Sequence, residues 1–258
     1  MQDVDAALAH AFARQNATTP EVPAVPPAPH FVVEPSRLAE VDHGREVHGE
    51  TTLDWPATVL SLEREHGDRF RRLAESLIEM RDRKGIKVLL FTSCHRAEGR
   101  TTLVLTLARA LARGEGRTLL IDADLSGPML ARQLGIRPRV GFDDVIEDGR
   151  ALADAILVAP DDHLSLLPLR APVSGPREFL ASPAWSCAMA KLRREYDTIL
   201  VDGSPLFAGL SAAVLHRSID AAILVHHRAL TGERALLRAQ EVLEAGGIPL
   251  LGLAETFV

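Results

Sequence analysis

The chain has 258 residues, with 29 Lys and Arg against 35 Asp and Glu, 47% hydrophobic residues and 25% charged residues, a composition typical of a soluble globular protein. Nine acidic and three basic residues precede residue 55, so the whole net charge of −6 lies in that segment and the remainder is balanced. Because nucleic-acid binding needs a basic surface that displaces counterions from phosphates, this balance argues against a nucleic-acid partner.

Cysteine content and hydropathy indicate the compartment. Cys94 and Cys187 are the two cysteines; they cannot form a disulfide framework and they lack the spacing of a zinc site. No apolar run approaches the ~20 residues that span a bilayer, and the N-terminus lacks the pattern of a signal peptide. We therefore expect a cytoplasmic protein with no direct membrane insertion, peripheral at the inner membrane only through a partner.

The first 55 residues differ in composition from the rest. Six prolines lie between residues 16 and 55 among acidic and small residues, and such a segment cannot bury enough apolar area to offset the entropy lost on ordering. Residues 2–14 have apolar side chains spaced four apart, which fits either a short docking helix or a frayed end. We predict a disordered acidic, Pro-rich N-terminal arm over 1–55 and one folded domain over 56–258.

The folded part alternates between short apolar runs and segments with helical spacing. Runs short enough to be strands buried on both faces cover 86–92, 117–122, 164–169, 197–202, 221–226 and 248–253. Helical spacing covers 68–82, 100–113, 184–195, 208–216 and 231–245. Ser182 and Thr231 are the expected caps of the third and fifth helices. This alternation predicts an α/β fold, a mainly parallel sheet with helices on both faces and a ligand at the carboxyl ends of the strands.

The first apolar run ends in TSCHRAEGRTT (92–102) and leads into a helical segment. A phosphate-binding loop needs this strand, loop and helix, with backbone N–H groups at the helix N-terminus, a glycine for close approach, a cation and a hydroxyl for Mg²⁺. Gly99, Arg100 and Thr101 supply the last three. The usual string G-x-x-x-x-G-K-S/T is not met, because Cys94 replaces the first glycine and Arg100 replaces the lysine.

Acidic residues end two further strands. LLIDADLSGP (119–128) places Asp122 and Asp124 at the end of one apolar run, and YDTILVDGSP (196–205) places Asp202 at the end of another. Two carboxylates two residues apart on a strand point to the same side, so they can share a divalent cation or divide into a metal ligand and a general base. Asp202 is in the usual place of an Mg²⁺ ligand. The joint arrangement predicts phosphoryl chemistry.

With these motifs in this order, the chain resembles the bacterial tyrosine kinases (BY-kinases, CpsD/CapB type) of capsule and exopolysaccharide synthesis, P-loop NTPases related to the MinD/ParA ATPases. The resemblance spans about residues 62–256. RFRRLAESLIEM (69–80) is similar to the helix before the loop, residues 92–102 to the Walker A motif, 119–128 to Walker A′ and 196–205 to Walker B. The signature Lys of the MinD/ParA branch is replaced by His95, so the kinase branch fits better.

The resemblance implies a set of site residues, ATP and Mg²⁺ as cofactors, and a transmembrane polysaccharide co-polymerase, or chain-length regulator, as partner. The nucleotide phosphates would be held by Ala97, Glu98, Gly99, Arg100, Thr101 and Thr102. Magnesium would be held by Thr101, Asp122 and Asp202. The catalytic residues would be Asp124, Asp122 and Arg100, with Asp124 accepting the proton of a tyrosine hydroxyl. Positioning and charge neutralisation are what phosphoryl transfer requires.

Several positions depart from the family pattern. Arg100 replaces a Lys, and the wide guanidinium fork is not equivalent to an ammonium point charge inside a tight loop. Ala97 replaces a frequent Gly, and Ser126 replaces a typical Arg. The family commonly has a tyrosine-rich tail, whereas residues 1–258 contain one tyrosine, Tyr196, which is expected to pack against the sheet.

The family's ring-assembly motif, E-x-x-R-x-x-R, corresponds to Asp68, Arg71 and Ala74; only Arg71 matches it, which argues against self-association through a closed ring.

Three functions remain open from the sequence. The leading one is an ATP-binding, BY-kinase-like protein of exopolysaccharide or capsule biosynthesis or export that phosphorylates protein tyrosine. The alternative is a catalytically impaired adaptor of the co-polymerase, favoured by Arg100 and Ser126 and opposed by retention of the three aspartates. The third, a MinD/ParA-like positioning ATPase, lacks its signature Lys.

Overall fold

The structure, a computed structural model, describes residues 45–208 and 218–256, and its main feature is a seven-stranded sheet. The strands are β1 (Arg45–Val47), β2 (Val88–Ser93), β3 (Thr118–Ala123), β4 (Ile136–Pro138), β5 (Leu157–Ala159), β6 (Leu164–Leu167), β7 (Thr198–Gly203), β8 (Ala221–His227) and β9 (Leu250–Thr256). The main sheet has the order β5-β6-β3-β7-β2-β8-β9. All neighbours are parallel except β5, which runs antiparallel to β6. Strands β1 and β4 form a separate parallel pair.

Helices cover both faces of this sheet. They are α1 (Ala57–Lys84), α2 (Arg100–Ala112), α3 (Leu130–Gln133), α4 (Phe142–Glu147), α5 (Leu152–Ala155), α6 (Pro176–Ala181), α7 (Pro183–Glu195) and α8 (Glu233–Ala245). Helices α1 and α2 pack on one face and α7 and α8 on the other, each over its own apolar cluster. In the described ranges no helix combines the length and apolarity needed to cross a membrane.

The residues of β2 show why the central strands are apolar throughout. Successive side chains of a strand point to opposite faces. Leu89 and Phe91 lie in the cluster under α1 and α2, whereas Val88 and Leu90 lie in the cluster under α7 and α8. Every residue of β2, β3 and β7 is buried. The predicted fold class, a mainly parallel sheet flanked by helices on both faces, is therefore confirmed.

The predicted elements and the observed ones agree best in this sheet. All six predicted apolar runs are strands of the main sheet, with boundaries shifted by a few residues. Strands β1, β4 and β5 and the short helices α3 to α6 were not predicted. The predicted helix at 208–216 lies outside the described residues except for Ala208, and the segment 2–14 lies outside them entirely.

The ends of two helices test the predicted caps. At the start of α7 the Ser182 hydroxyl accepts a hydrogen bond from the Trp185 N–H at 3.1 Å, which confirms the predicted cap. At the start of α8 the N-cap is Gly232, so the cap predicted at Thr231 is wrong. The Thr231 hydroxyl instead donates to the Glu98 carboxylate, a partner far away in sequence.

Residues just before the predicted domain boundary pair with the domain. Arg45–Val47 form the parallel pair with β4, and the Thr51 N–H donates to the Val158 carbonyl at 2.8 Å. The Trp55 indole N–H donates to Asp162 at 2.9 Å. Ordered pairing therefore begins by residue 45, before the predicted boundary at residue 55, while residues 1–44 of the predicted arm lie outside the described part of the chain.

Candidate nucleotide-binding site

The strand order brings the three predicted motifs to one edge of the sheet. Strand β7 lies between β2 and β3, and Asp202 is in register with both Phe91 and Asp122. The loop of residues 94–99 leaves the end of β2 and enters α2. A cleft of about 190 Å³ opens there, lined by Ser93, Arg96, Ala97, Glu98, Gly99, Arg100, Thr101, Thr102, Asp124 and Met129.

The loop turns into α2 through two residues with left-handed backbone. Gly99, the N-cap of α2, has φ 74°, and a Cβ there would lie 3.2 Å from the side chain of Thr256. Both the conformation and the space therefore favour glycine at this position. Ala97 has φ 62°, in the same left-handed region, where a side chain crowds the following carbonyl.

We expect Ala97→Gly to raise the free energy of unfolding by about 0.5–1 kcal/mol, because relief of the left-handed strain exceeds the extra entropy of the unfolded glycine. Chemical denaturation with a two-state fit measures this difference. Ala110→Gly is the matched control, since Ala110 lies inside α2 and glycine in a helix interior costs about 1 kcal/mol. Destabilisation by both variants would contradict the strain at Ala97.

Arg100 connects the two acidic strands. Its Nε donates to Asp202 Oδ1 at 2.7 Å, its Nη2 to Asp124 Oδ2 at 2.9 Å and its Nη1 to Ser93 Oγ at 3.2 Å. The side chain is 8% exposed. Burial by itself lowers the pKa of Arg100, but the charges and hydrogen bonds of Asp202 and Asp124 outweigh it and raise the pKa above its usual value. Arg100 is therefore held as a fully charged bridge.

The other side chains of the site complete this network. The Thr101 hydroxyl donates to Asp202 Oδ2 at 2.7 Å, so both oxygens of Asp202 have partners. Arg96, which is half exposed, donates to Asp124 at 3.2 Å and to the Ser126 hydroxyl at 3.0 Å. Asp124 thus accepts hydrogen bonds from two guanidinium groups, and Arg96 stands beside the serine that replaces a typical arginine.

Asp122 faces the backbone rather than the cleft. Its carboxyl group accepts N–H donors from Asp124 at 3.1 Å, Met129 at 3.1 Å and Leu130 at 3.0 Å. Complete burial, with the neighbouring charge of Asp202, raises the pKa of Asp122 to about 8, even though the backbone donors act in the opposite direction. At pH 7 most molecules therefore carry a neutral Asp122 that fixes the turn between β3 and α3.

Glu98 and Thr102, two of the predicted phosphate contacts, differ in what they can offer to a phosphate. The buried Glu98 carboxylate accepts hydrogen bonds from the His95 N–H at 2.7 Å and from the Thr231 hydroxyl. The Thr102 carbonyl accepts the Thr106 hydroxyl at 2.8 Å inside α2. At these two positions, the groups left for a phosphate are chiefly backbone N–H groups and the Thr102 hydroxyl.

The chain matches bacterial tyrosine kinases in sequence. The YwqD kinase of Bacillus subtilis (strain 168) is 28% identical over 168 residues, which cover 65% of this chain and 70% of that protein. The CpsD kinase of Streptococcus pneumoniae is 27% identical over 169 residues, which cover 65% of this chain and 74% of that protein. No family model matches the chain.

A solved bacterial kinase domain resembles this chain in both sequence and fold. The kinase domain of VpsO is 27% identical, with a TM-score of 0.67 over 76% of this chain and 98% of that domain. The chain is a divergent homologue of the bacterial tyrosine kinases. The kinase domain of ETK from Escherichia coli, at 22% identity, shares the same fold with a TM-score of 0.71 over 78% of this chain and 80% of that one.

The fold of this BY-kinase homologue is also that of P-loop ATPases. MinD from Pyrococcus horikoshii, solved as a complex with Mg-ADP, is 24% identical with a TM-score of 0.54 over 65% of this chain and 68% of that one. A cobyrinic acid a,c-diamide synthase from Mycobacterium smegmatis, solved with an ATP analogue and magnesium, has a TM-score of 0.56 at 23% identity over 67% of this chain and 73% of that one. Both of these neighbours were thus solved with an adenine nucleotide and magnesium bound.

The predicted magnesium ligands do not fit that ion in the present arrangement. Thr101 and Asp202 are bonded to each other, Asp202 also holds the Arg100 guanidinium, and Asp122 is mostly neutral at pH 7. A neutral carboxyl is a poor ligand for a hard cation. Within residues 45–208 and 218–256, no three or more His, Cys, Asp or Glu side chains are grouped to hold a metal ion; the predicted set, two aspartates and a threonine, is smaller than such a group.

Two residues of the site escaped sequence reasoning. Thr231 follows β8, and its hydroxyl donates a hydrogen bond to the Glu98 carboxylate. Thr256 is the last residue of β9, and its hydroxyl donates to the Glu98 carbonyl at 2.8 Å. Their distance from the loop in sequence gives no local signal. They reach the loop because β8 lies beside β2 in the sheet and β9 lies beside β8, and this order cannot be read from the sequence.

Proposed function

We propose that this protein binds ATP at the loop of residues 94–99 and the first turn of α2, and acts, as a relative of the BY-kinases, in exopolysaccharide or capsule biosynthesis. The convergence of that loop with Asp122, Asp124 and Asp202 at the carboxyl edge of β2, β7 and β3 is the observation that carries the proposal. The N-terminus of α2 presents backbone N–H groups and a partial positive charge to this cleft, which suits phosphate oxygens.

The proposed reaction is transfer of the γ-phosphoryl group from ATP to a tyrosine. The tyrosine oxygen forms the new bond to phosphorus, the bond to ADP breaks, and Asp124 accepts the hydroxyl proton. Asp124 can do this only after it loses one of its bonds to Arg96 or Arg100. Arg96, being half exposed, is free to move toward the phosphates, whereas Arg100 is buried. Tyr196 is buried, so it is not the tyrosine that this site would phosphorylate.

The second candidate function is that of an adaptor that binds the nucleotide without transferring phosphate. The observation that favours it is the bridge itself: Arg100 occupies the cation position of the loop, but each of its three guanidinium nitrogens already donates a hydrogen bond, to Asp202, Asp124 and Ser93. A misplacement of about 1 Å at a reacting group lowers a rate by roughly a hundredfold.

Calorimetric titration with ATP and a phosphotransfer assay on a tyrosine-containing polypeptide separate these functions. Binding with transfer supports the kinase, and binding without transfer supports the adaptor. Asp124→Asn is the matched variant: it keeps the shape of the site and is expected to abolish transfer while binding persists. If the folded full-length chain does not bind millimolar ATP, the proposed function is wrong.

We propose a transmembrane polysaccharide co-polymerase as the partner. The Wzc tyrosine kinase of Salmonella typhi matches this chain over only 23% of its length, with 24% identity, so the matching part of that relative sits in a much longer protein. Co-purification of this chain with the co-polymerase encoded in the same genome tests the partnership. Failure of the two full-length proteins to associate, with or without ATP, would refute it.

A further inference from the structure

The Arg100 guanidinium lies between a predicted magnesium ligand and the candidate base. Its three hydrogen-bond acceptors are Asp202 Oδ1 at 2.7 Å, Asp124 Oδ2 at 2.9 Å and Ser93 Oγ at 3.2 Å. The second oxygen of Asp202 accepts the hydroxyl of Thr101, another predicted magnesium ligand. Oxygen atoms that would suit a hard cation are thus already bonded to a cationic side chain of the protein.

The charges of the site are balanced without an ion. Asp124 and Asp202 are 3% and 1% exposed, and buried carboxylates need a paired charge because water no longer solvates them. Arg100 pairs with both of them, and Arg96 supplies a second positive charge to Asp124. A divalent ion added beside Arg100 would meet a like charge that cannot leave toward solvent.

The shape of the arginine explains how one side chain can do this. A guanidinium is a planar fork whose several donors point in fixed directions, so it can hold two carboxylates and a hydroxyl at the same time. A lysine at the same position is a compact point charge with a mobile stem. Lysine cannot fix all three contacts at once, so part of this set of oxygen atoms would be left for a metal ion, while Arg96 would still pair with Asp124.

We propose that Arg100 replaces the magnesium ion as the resident cation of this site, so that the loop binds nucleotide phosphates without a divalent metal. The inference rests on the proposed nucleotide binding and specifies its metal requirement. The phosphates would then lie against the N-terminus of α2 and the half-exposed Arg96, while Arg100 stays with Asp202 and Asp124. The chain would differ in this respect from the related structures solved with magnesium.

Calorimetric titration of the folded full-length protein with ATP, once in EDTA and once in excess Mg²⁺, tests the proposal. The expected dissociation constants of the wild-type protein agree within about twofold, whereas Arg100→Lys is expected to bind ATP about tenfold or more tightly in Mg²⁺ than in EDTA. The wild-type comparison decides by itself if the variant does not fold. Arg109→Lys, the same exchange at a paired arginine outside the cleft, is the matched control and should leave the metal dependence unchanged.

The outcomes distinguish this inference from the function on which it rests. Tenfold tighter binding of ATP by the wild-type protein in Mg²⁺ would overturn the role of Arg100 and leave nucleotide binding intact. The same metal independence in Arg100→Lys would also overturn it, because arginine would then not be the cause. Absence of ATP binding by the folded wild-type protein in both buffers would refute the proposed function itself.

Discussion

Replacement of Arg100 by alanine is expected to lower the free energy of unfolding by about 3–5 kcal/mol at pH 7, the cost of leaving a buried charge without its partner. Arg100 binds Asp202 at 2.7 Å and Asp124 at 2.9 Å, and all three side chains are nearly inaccessible to water. Asp124 retains Arg96 in the variant, whereas Asp202 retains only the Thr101 hydroxyl. Asp202 therefore contributes most of the loss.

Two variants show that the loss arises from the unpaired carboxylate. Arg71→Ala removes an exposed arginine paired with Asp68, both more than half accessible, and is expected to change stability by less than about 1 kcal/mol. Addition of Asp202→Asn to Arg100→Ala removes the uncompensated charge and should recover part of the stability, which a double-mutant cycle measures. If the stability losses of Arg100→Ala and Asp202→Asn were strictly additive in the double variant, this interpretation would be contradicted. A stability loss in Arg100→Ala no larger than in Arg71→Ala would contradict it as well.

The sheet could be predicted from sequence because its strands are buried on both faces. Such strands appear as continuous apolar runs, and six of them were found in this way, from residues 86–92 to residues 248–253. Strand β5 was not predicted, because it is an edge strand of three residues and its middle residue, Val158, is exposed. A run that short carries no recognisable period, and the same holds for β1 and β4.

The sequence could predict which motifs meet at the candidate site, but not the contacts between their side chains. The acids at the ends of β3 and β7 and the loop after β2 follow from the sequence, since parallel strands end at one edge. The Arg100 bridge does not follow, because it depends on β7 lying between β2 and β3. Strand order is a long-range property, and neither apolar periodicity nor turn residues encode it.

The hydrogen-bond partners of Asp122 could not be predicted from the sequence either. Its position two residues before Asp124 predicts two carboxylates side by side in the cleft, whereas the structure gives its oxygens to the N–H groups of Asp124, Met129 and Leu130. The short helix α3, absent from the predicted elements, supplies one of these donors, Leu130, and its N-cap residue Met129 supplies another. A structural role for Asp122 could therefore be found only once α3 was seen.

Asp122 is expected to make the protein less stable as the pH rises from about 4 to about 8. An aspartate in the unfolded chain has a pKa near 3.9, whereas burial and the charge of Asp202 raise the pKa of Asp122 in the folded protein to about 8. Between these values the unfolded chain loses the proton and the folded protein keeps it. The contribution is complete below pH about 4, falls by at most about 1.4 kcal/mol per pH unit and is lost above pH about 8.

Comparison with Asp122→Asn isolates this contribution from those of the other acids. The amide cannot ionise, so the variant should become more stable relative to the wild type with each unit between pH 5 and 8, whatever the fixed offset that the amide causes in its hydrogen bonds. Unfolding in denaturant at three pH values in this range measures the difference. Asp68→Asn, at an exposed position, should run parallel to the wild type. If Asp122→Asn ran parallel as well, Asp122 would be ionised in the folded protein at neutral pH, and a role for it as a metal ligand would regain its basis.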